Sequence, residues 1–327
     1  MQSVTGKLLA GLIFLGAVAG FSGLASAIYS PANAAETEPN RARWKTLSYR
    51  GKHFLGEVKT DVSLAGLPAG EAQKILIAVP QGSALQPSTA RVMKLDVQSA
   101  VDPLFGDPDI SGSRAWFTPD DAAALQRIRS RRGDDIWQNT YRFTENGVYR
   151  IRKKPAGADE KQLAPELWTK IKESFYAYQD KPPESLPVLE PTGLLYLASA
   201  LAFRERAGPR TLYVFDRKQL HEVKVQVSGR QRLKVSYIEK NQENDLQREG
   251  MTDTLKISFK PRSLASPDQQ PEEFSFMGLT GDFEIYIDAA TGVPVQISGQ
   301  ISNIGKVHIR LQTVEMASDR STGEKKS

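Results

Sequence analysis

Apolar residues occupy every second position through much of this chain, and a period of two predicts β-strands. The clearest case runs from Phe283 to Gln312. Its apolar positions fall in three runs separated by the turn segments DAATG and SNIG, and they are Phe283, Ile285, Ile287, Val293, Val295, Ile297, Val307, Ile309 and Leu311. These runs predict three antiparallel strands that share one apolar face.

The same period extends to the neighbouring segments. The stretch 221–238 alternates on both sides of the segment SGRQ, which predicts a β-hairpin, and TLKISF predicts a further strand. From Arg210 to Val314 we therefore expect a meander of seven or eight strands. The first half predicts looser strands, with loops at 64–73 and 80–90; the strands are 46–50, 54–64, 73–79, 91–98, 138–144 and 147–153.

Three segments predict helices. Residues 118–133 begin with Thr118 and Pro119 and end in arginines before Gly133, the cap and charge order of a helix. Residues 164–179 carry apolar side chains at helical spacing. Residues 191–207 carry a leucine-rich stripe that stops before Gly208.

One apolar and one polar face is typical of an antiparallel sheet with one side in water. A long meander of such strands curls into a barrel or half-barrel, because an open twisted sheet leaves exposed edges. The sequence therefore predicts a mainly β fold, similar in architecture to lipocalins or lipoprotein carriers, with about three helices packed on it. Its interior is either a filled core or a cavity.

The N-terminus predicts export. Lys7 is followed by an uncharged apolar run, Leu8–Ile28, and by the small-residue site Ala32-Asn33-Ala34. This order is typical of a cleaved signal peptide, although a run of this length also suits a retained anchor. We expect a signal peptide at 1–34 and a disordered tail at 317–327. Between them we expect one large domain at 35–316, or two halves at 45–160 and 190–316 joined by a helix and a proline-rich connector.

Composition narrows the possibilities further. The chain has no cysteine, so it forms no disulfide, uses no thiol nucleophile and carries no lipidated cysteine. We therefore expect a periplasmic protein that is not a lipoprotein and keeps no membrane span after cleavage. The net charge is +5, and the basic clusters RIRSRR (127–132) and RIRKK (150–154) predict solvated faces rather than a nucleic-acid site.

Four stretches resemble an exported bacterial family, the domain of unknown function numbered 3108. They are YRGKHFLGEVKTDV, NTYRFTENGVYRIRKK, LEPTGLLYLASALAFRE with its Arg204, and IYIDAATGVPVQISGQISNIGKVHIRLQ with Asp288, Pro294 and Gly305. The resemblance covers about residues 45–316. It implies an envelope location, a β-rich curved fold and no established activity.

Candidate catalytic chemistry is sparse. Of the three histidines, His53, His221 and His308, the last two fall on the polar phase of predicted strands, so we expect both to be exposed. Asp102, Asp107 and Asp109 lie near glycines, but their spacing does not match a calcium loop. The sequence thus predicts no cofactor, no metal site and no enzyme.

Aromatic residues are the candidate ligand contacts. Tyr213 and Phe215 lie opposite Leu212 and Val214, so this strand is covered on both faces, either by packed helix or around a pocket. The candidate ligand-binding residues are Trp116, Tyr196, Tyr213 and Phe215. We predict a non-enzymatic envelope protein that binds a lipid or other apolar ligand, or an envelope protein. The alternatives are an accessory subunit of an envelope or secretion assembly and a hydrolase of cell-wall or polysaccharide material.

Overall fold

The fold is taken from a computed structural model, in which the described residues are 42–53, 56–80, 82–103, 108–133, 135–179, 182–183, 186–201, 208–240, 244–265, 268, 270–301 and 305–317. The predicted signal peptide lies outside these ranges, as does the predicted tail apart from Ala317. The described residues all belong to one compact unit. No helix among the described residues is long and apolar enough to cross a membrane.

Strands make up most of the described chain. In order they are β1 (Trp44–His53), β2 (Gly56–Pro68), β3 (Arg91–Pro103), β4 (Asp109–Phe117), β5 (Ala124–Arg132), β6 (Trp137–Thr144), β7 (Gly147–Lys154), β8 (Lys170–Ala177), β9 (Val188–Leu189), β10 (Arg210–Asp216), β11 (Gln219–Lys240), β12 (Leu246–Ser263), β13 (Ser275–Phe276), β14 (Leu279–Asp288), β15 (Pro294–Ile301) and β16 (Gly305–Met316). The helices are α1 (Ala69–Ile75), α2 (Ala158–Lys161) and α3 (Gly193–Leu201), and a 3-10 turn spans Pro165–Leu167.

The strands form a single curved sheet. β1 to β8 follow one another in antiparallel order, and β1 also pairs with β16. From β16 the order continues through β15, β14, β12 and β11 to β10 and β9. The last residues of β11 pair in parallel with β16, Ile238 opposite Thr313, so five strands close into a circuit. The predicted mainly β, barrel-like or half-barrel fold is therefore confirmed.

The predicted apolar face of the closing strands forms the main core. Phe283, Ile285, Ile297 and Ile309 are all buried in one contiguous cluster with the inward residues of β1 to β4. The ring of Phe283 stacks on Phe259 at 4.6 Å and on Phe276 at 4.3 Å between centroids. This part of the interior is filled with side chains, so the shared apolar face is confirmed as a core.

A second core joins the two ends of the sheet. The described residues of β9 and β10 pack across β5, β6 and β7, and the buried members of this cluster are Ala124, Tyr141, Phe143, Val148, Tyr178, Val188, Phe215 and Leu220. We call the side of β5 to β8 that carries Tyr141 and Phe143 the inner face. β10 is covered on both sides, because Val214 belongs to the main core and Phe215 to the second.

The opposite side of β3 to β6 is covered by α1 and the segment that follows it. Ala72 and Leu76 pack there on Trp116 and Leu125. Arg142 fastens the segment, since its Nε donates to the carbonyl of Ile77 (3.1 Å) and its Nη2 to that of Leu85 (2.6 Å).

Two predicted helices are wrong. Residues 118–123 form a turn, in which the Thr118 hydroxyl donates to the Asp121 carboxylate, and 124–132 form β5. Residues 170–177 form β8, and two apolar positions of the predicted helix are exposed, Leu167 by 61% and Ile171 by 52%. Alternation of side chains across the sheet overrides the helical cap signals in the first case and the helical spacing in the second.

Other boundaries also differ. The predicted hairpin at 221–238 is wrong, because β11 runs straight through it with a bulge between Val227 and Arg230. The loop predicted at 64–73 and the strand at 73–79 are wrong as well, since β2 reaches Pro68 and α1 follows. Helix α3 confirms 193–201 of the third predicted helix, and 202–207 lie outside the described residues.

Candidate anion-binding face

The aromatic residues singled out in the sequence lie in three separate cores. Trp116 is buried beneath α1, and Tyr196 lies in the main core, where its hydroxyl donates to the Pro119 carbonyl at 2.7 Å. Phe215 is packed among Tyr141, Phe143, Tyr176 and Tyr178, and half-buried Tyr213 packs on the same cluster. The structure therefore does not bring the four residues together, and their role in binding stays a prediction.

Cationic side chains instead cluster on the inner face of β5 to β8. Alternation along β5 places Arg127, Arg129 and Arg131 on that face, because Arg127 pairs with Tyr141 across β6. The register carries the pattern onward, with Arg129 opposite Asn139, Asn139 opposite Arg152 and Arg152 opposite Lys172. We call this set the basic face; its members are Arg127, Arg129, Arg131, Arg150, Arg152, Lys154, Lys170 and Lys172.

Carboxylates neutralise only part of this charge. In the described chain, four carboxylates form ion pairs with the eight cations of the basic face, and they are Asp109, Asp135, Glu190 and Asp216. No carboxylate of the described residues lies within ion-pair distance of Arg150, Lys170 or Lys172. An excess of positive charge therefore remains on β7 and β8.

The innermost cation of the face is fully compensated. The Arg127 side chain is 5% exposed; its Nη1 lies 3.2 Å from Asp216 Oδ1 and its Nε 3.4 Å from Glu190 Oε2. Glu190 is itself buried, and it accepts hydrogen bonds from the backbone N–H groups of Thr192 (2.9 Å) and Gly193 at the start of α3. These contacts join β5 to β9 and β10, and we call them the seam.

The electrostatics of the seam differ from residue to residue. Burial by itself raises the pKa of Asp216, but Arg129, Arg127 and Arg217 outweigh it and hold that pKa below its ordinary value. The pKa of Arg129 is lowered, chiefly by burial and also by Arg127 and Arg217, against the opposing effect of Asp216. Asp216 is therefore ionised at neutral pH, and Arg129 lies where a further negative charge is favourable.

Aromatic rings flank those cations of the basic face that are not fully paired with carboxylates. The guanidinium carbons of Arg129 and Arg152 each lie 5.6 Å from the Trp137 ring centroid, and that of Arg150 lies 4.9 Å from the Tyr176 ring. Two buried polar atoms of this face, Arg150 Nε and Asn139 Oδ1, have no hydrogen-bond partner among the described residues. An unpaired buried donor such as Arg150 Nε carries a free-energy cost that a bound anion can offset, whereas the Asn139 oxygen is an acceptor and would need a donor.

Two sequence predictions need correction here. The clusters at 127–132 and 150–154 are not simply solvated, because Arg127 and Arg150 are buried by the packing of β9 and β10. His221 is not exposed either; it is 1% exposed, its ring is 5.2 Å from that of Phe274, and burial lowers its pKa. It lies opposite Val214, on the phase that the curled sheet covers.

Other sequence predictions about chemistry have varied outcomes. His308 is exposed as predicted, with Nδ1 2.7 Å from Ser298 Oγ, whereas the His53 side chain lies outside the described residues. Asp109 pairs with Arg131 at 2.8 Å, and Asp107 lies outside the described residues. Across the described ranges no three His, Asp or Glu side chains are grouped as metal ligands are.

Comparisons with known proteins give one structural likeness to report. No family model matches the chain, so the resemblance to the family numbered 3108 stays a prediction, and no curated protein matches it. The chain is similar to a crystal structure from Brucella abortus described as a beta-barrel-like protein of the domain of unknown function DUF1849. The two share 7% identity over 85% of this chain and 99% of the other, with a TM-score of 0.44. A likeness of this degree identifies neither a family nor a function.

Proposed function

We propose that this is an exported, non-enzymatic envelope protein whose basic face binds an anionic amphiphile. The observation that carries the proposal is the uncompensated charge on one face of β7 and β8, next to the rings of Trp137 and Tyr176. The export part rests on the apolar run and small-residue site at 1–34.

The surroundings of the basic face favour a ligand with an apolar part. Tyr176 lies beside Arg150, and it also lines a cleft of 240 Å³ together with Leu220 and Leu264. Lys172 and Tyr176 share the inner side of β8 and lie about 13 Å apart along it. An acidic head group on the basic face would therefore place an attached chain within reach of this cleft.

The interior supports surface binding over enclosure. The main core is filled by stacked phenylalanines and branched aliphatic side chains, and the uncompensated cations lie on β7 and β8, beside the second core. A hydrolase of polysaccharides would need one carboxyl protonated beside one ionised, and the lowered pKa of Asp216 disfavours that role for the seam.

A second candidate, an accessory subunit of an envelope assembly, is favoured by one observation. β8 ends the strand order of the described chain, and apolar side chains at Leu167 and Ile171 are exposed beside it. Open edges with apolar neighbours are typical docking sites for another chain. Lys170 and Lys172 on the same strand, however, are the kind of charge that protects an edge from pairing.

The test is binding to lipid vesicles. The protein should sediment with vesicles that contain an anionic lipid and remain in solution with zwitterionic vesicles. Replacing Arg152 and Lys172 together by Gln should weaken binding about 30-fold, because each cation near an anionic surface contributes about 1 kcal/mol. The control removes the same charge from the same part of the sheet on the opposite side, by Arg132→Gln with Lys153→Gln. Equal effects of the two double variants, or no preference for anionic vesicles, would contradict the proposal.

A further inference from the structure

Two arginines of the basic face lie near the same indole ring. Arg129 on β5 and Arg152 on β7 flank β6, two strand spacings or about 10 Å apart at the backbone, and both guanidinium groups reach the Trp137 ring at 5.6 Å. Their side chains are 21% and 30% exposed, so both are accessible while being partly withdrawn from water.

Neither arginine has a carboxylate to itself. Asp216 lies 3.7 Å from Arg129 but 3.2 Å from Arg127. Asp135 lies 3.6 Å from Arg152 but 2.6 Å from Lys154. In each case a nearer cation takes the carboxylate, so both guanidinium groups keep donors for another acceptor.

The presence of two arginines, rather than one, indicates which kind of anion this site would bind. One guanidinium group can donate to both oxygens of a carboxylate in a bidentate manner. A second arginine would therefore add little to the binding of a carboxylate. A phosphomonoester has three terminal oxygens and a charge between −1.5 and −2 near neutral pH, with a second pKa of about 6. It offers acceptors to two forks at once.

We propose that Arg129 and Arg152, which both lie at the Trp137 ring, hold the phosphomonoester group of a lipid head group. This inference rests on the proposed function and narrows it. The apolar chain lies toward the cleft at Tyr176, as argued above, which favours a lipid over a free phosphate. A general attraction to negative surfaces would not distinguish a phosphomonoester from a phosphodiester, whereas a site made of two forks would.

Vesicles of equal surface charge provide the test, one set containing phosphatidic acid and the other phosphatidylglycerol. At pH 7.5 the protein should bind phosphatidic acid at least about tenfold more tightly, since only its phosphomonoester can accept from both forks with its second charge. At pH 5 this advantage should disappear, because the phosphomonoester is then a monoanion. Free glycerol phosphate should compete only weakly; full competition at matched concentration would assign the site to a soluble phosphate instead.

A pair of substitutions on β6 provides the matched control. Asn139 lies between Arg129 and Arg152 in the register, so Asn139→Asp introduces a carboxylate between them with almost no change of shape. It should reduce binding to phosphatidic acid at least about tenfold. Gln138→Glu adds the same charge one residue away on the other side of the sheet and should leave binding within about twofold.

The outcomes separate this inference from the proposed function. Equal binding to the two lipids at pH 7.5, with both weakened by Asn139→Asp, would overturn the phosphomonoester site and leave anion binding intact. No binding to either lipid would overturn both proposals. A preference for phosphatidic acid that persists unchanged in Asn139→Asp would also overturn the site, because the recognition would then lie elsewhere.

Discussion

Removing the charge of Asp216 should lower the free energy of unfolding strongly. Its carboxylate is 1% exposed; Oδ1 contacts Arg127 at 3.2 Å and Arg129 at 3.7 Å, and Oδ2 accepts the Ser275 N–H at 3.1 Å. It thus connects β5 to β10 and to the strand before β14. Asp216→Asn keeps the volume and one acceptor while removing the charge.

The expected loss follows from the burial of its partner. The Arg127 side chain is 5% exposed and would keep only Glu190, at 3.4 Å, as a counter-charge. Removing one member of a buried ion pair typically costs about 3–5 kcal/mol, because the other charge remains in a poorly solvated place. We expect Asp216→Asn to lower the free energy of unfolding by about that amount.

The pH dependence has a definite sign. Because the folded-state pKa of Asp216 is lowered, its contribution to stability is fully present above the unfolded-state value of about 3.9 and is lost as pH falls through the folded-state pKa. The wild type and Asp216→Asn should therefore differ most near pH 6–7. The difference should shrink below about pH 4.

Urea denaturation followed by tryptophan fluorescence measures this difference. Asp253→Asn is the control, because that carboxylate is 61% exposed and lies 3.9 Å from an exposed Arg232, a pair worth about 0–1 kcal/mol at most. A loss for Asp216→Asn below about 1 kcal/mol, or a difference from wild type that grows as pH falls, would refute the seam as described.

Two further predictions concern the core and the N-terminus. Ile285→Ala should lower the free energy of unfolding by about 2–5 kcal/mol, because Ile285 is fully buried in a filled core; Lys306→Gln on the exposed side should change it by less than about 0.5 kcal/mol, and equal losses in urea denaturation would show that the core assignment is wrong. The mature chain should begin near Ala35, which N-terminal sequencing of exported protein would check; a sequence starting at Met1 would contradict cleavage.

The closing strands could be predicted from the sequence because alternation has a direct structural meaning. In a strand, Phe283, Ile285 and Ile287 must share a side, and only one side of this sheet is dry, so the pattern determines both element and core. The same logic predicted that β10 is covered on both faces. It did not require knowing which other segments provide the cover.

Local cap signals misled the prediction where a strand also begins. Thr118 and Asp121 form a turn with hydrogen bonds of its own, in which the Thr118 hydroxyl and the Ala123 N–H both donate to the Asp121 carboxylate. The arginines after the turn fit either a helix end or an alternating strand. The period of two in Arg127, Arg129 and Arg131 was visible in the sequence and favours a strand. It was masked by the preference for basic residues near helix ends.

The seam could not be predicted from a single sequence, for a different reason. Arg127 and Asp216 are 89 positions apart and meet only because the sheet curls until β10 lies across β5. The residues next to Arg127 and Asp216 in the sequence do not indicate that these two side chains are in contact. The assignment of His221 to the polar phase is wrong for a simpler reason, because His221 lies on the same side of β11 as the buried Val223 and Val225.

Position along β5, more than residue type, separates the structural Arg127 from Arg129, for which binding is proposed. The exposed fraction of the side chain rises from 5% at Arg127 to 21% at Arg129 and 43% at Arg131. At the buried end two carboxylates compensate one guanidinium, which favours a fixed ion pair. One step outward, Arg129 shares a carboxylate and still faces solvent, and that combination of incomplete pairing and partial desolvation is where an external anion gains most. The proposed site therefore begins at Arg129, at the end of the seam, where one carboxylate is shared between two arginines.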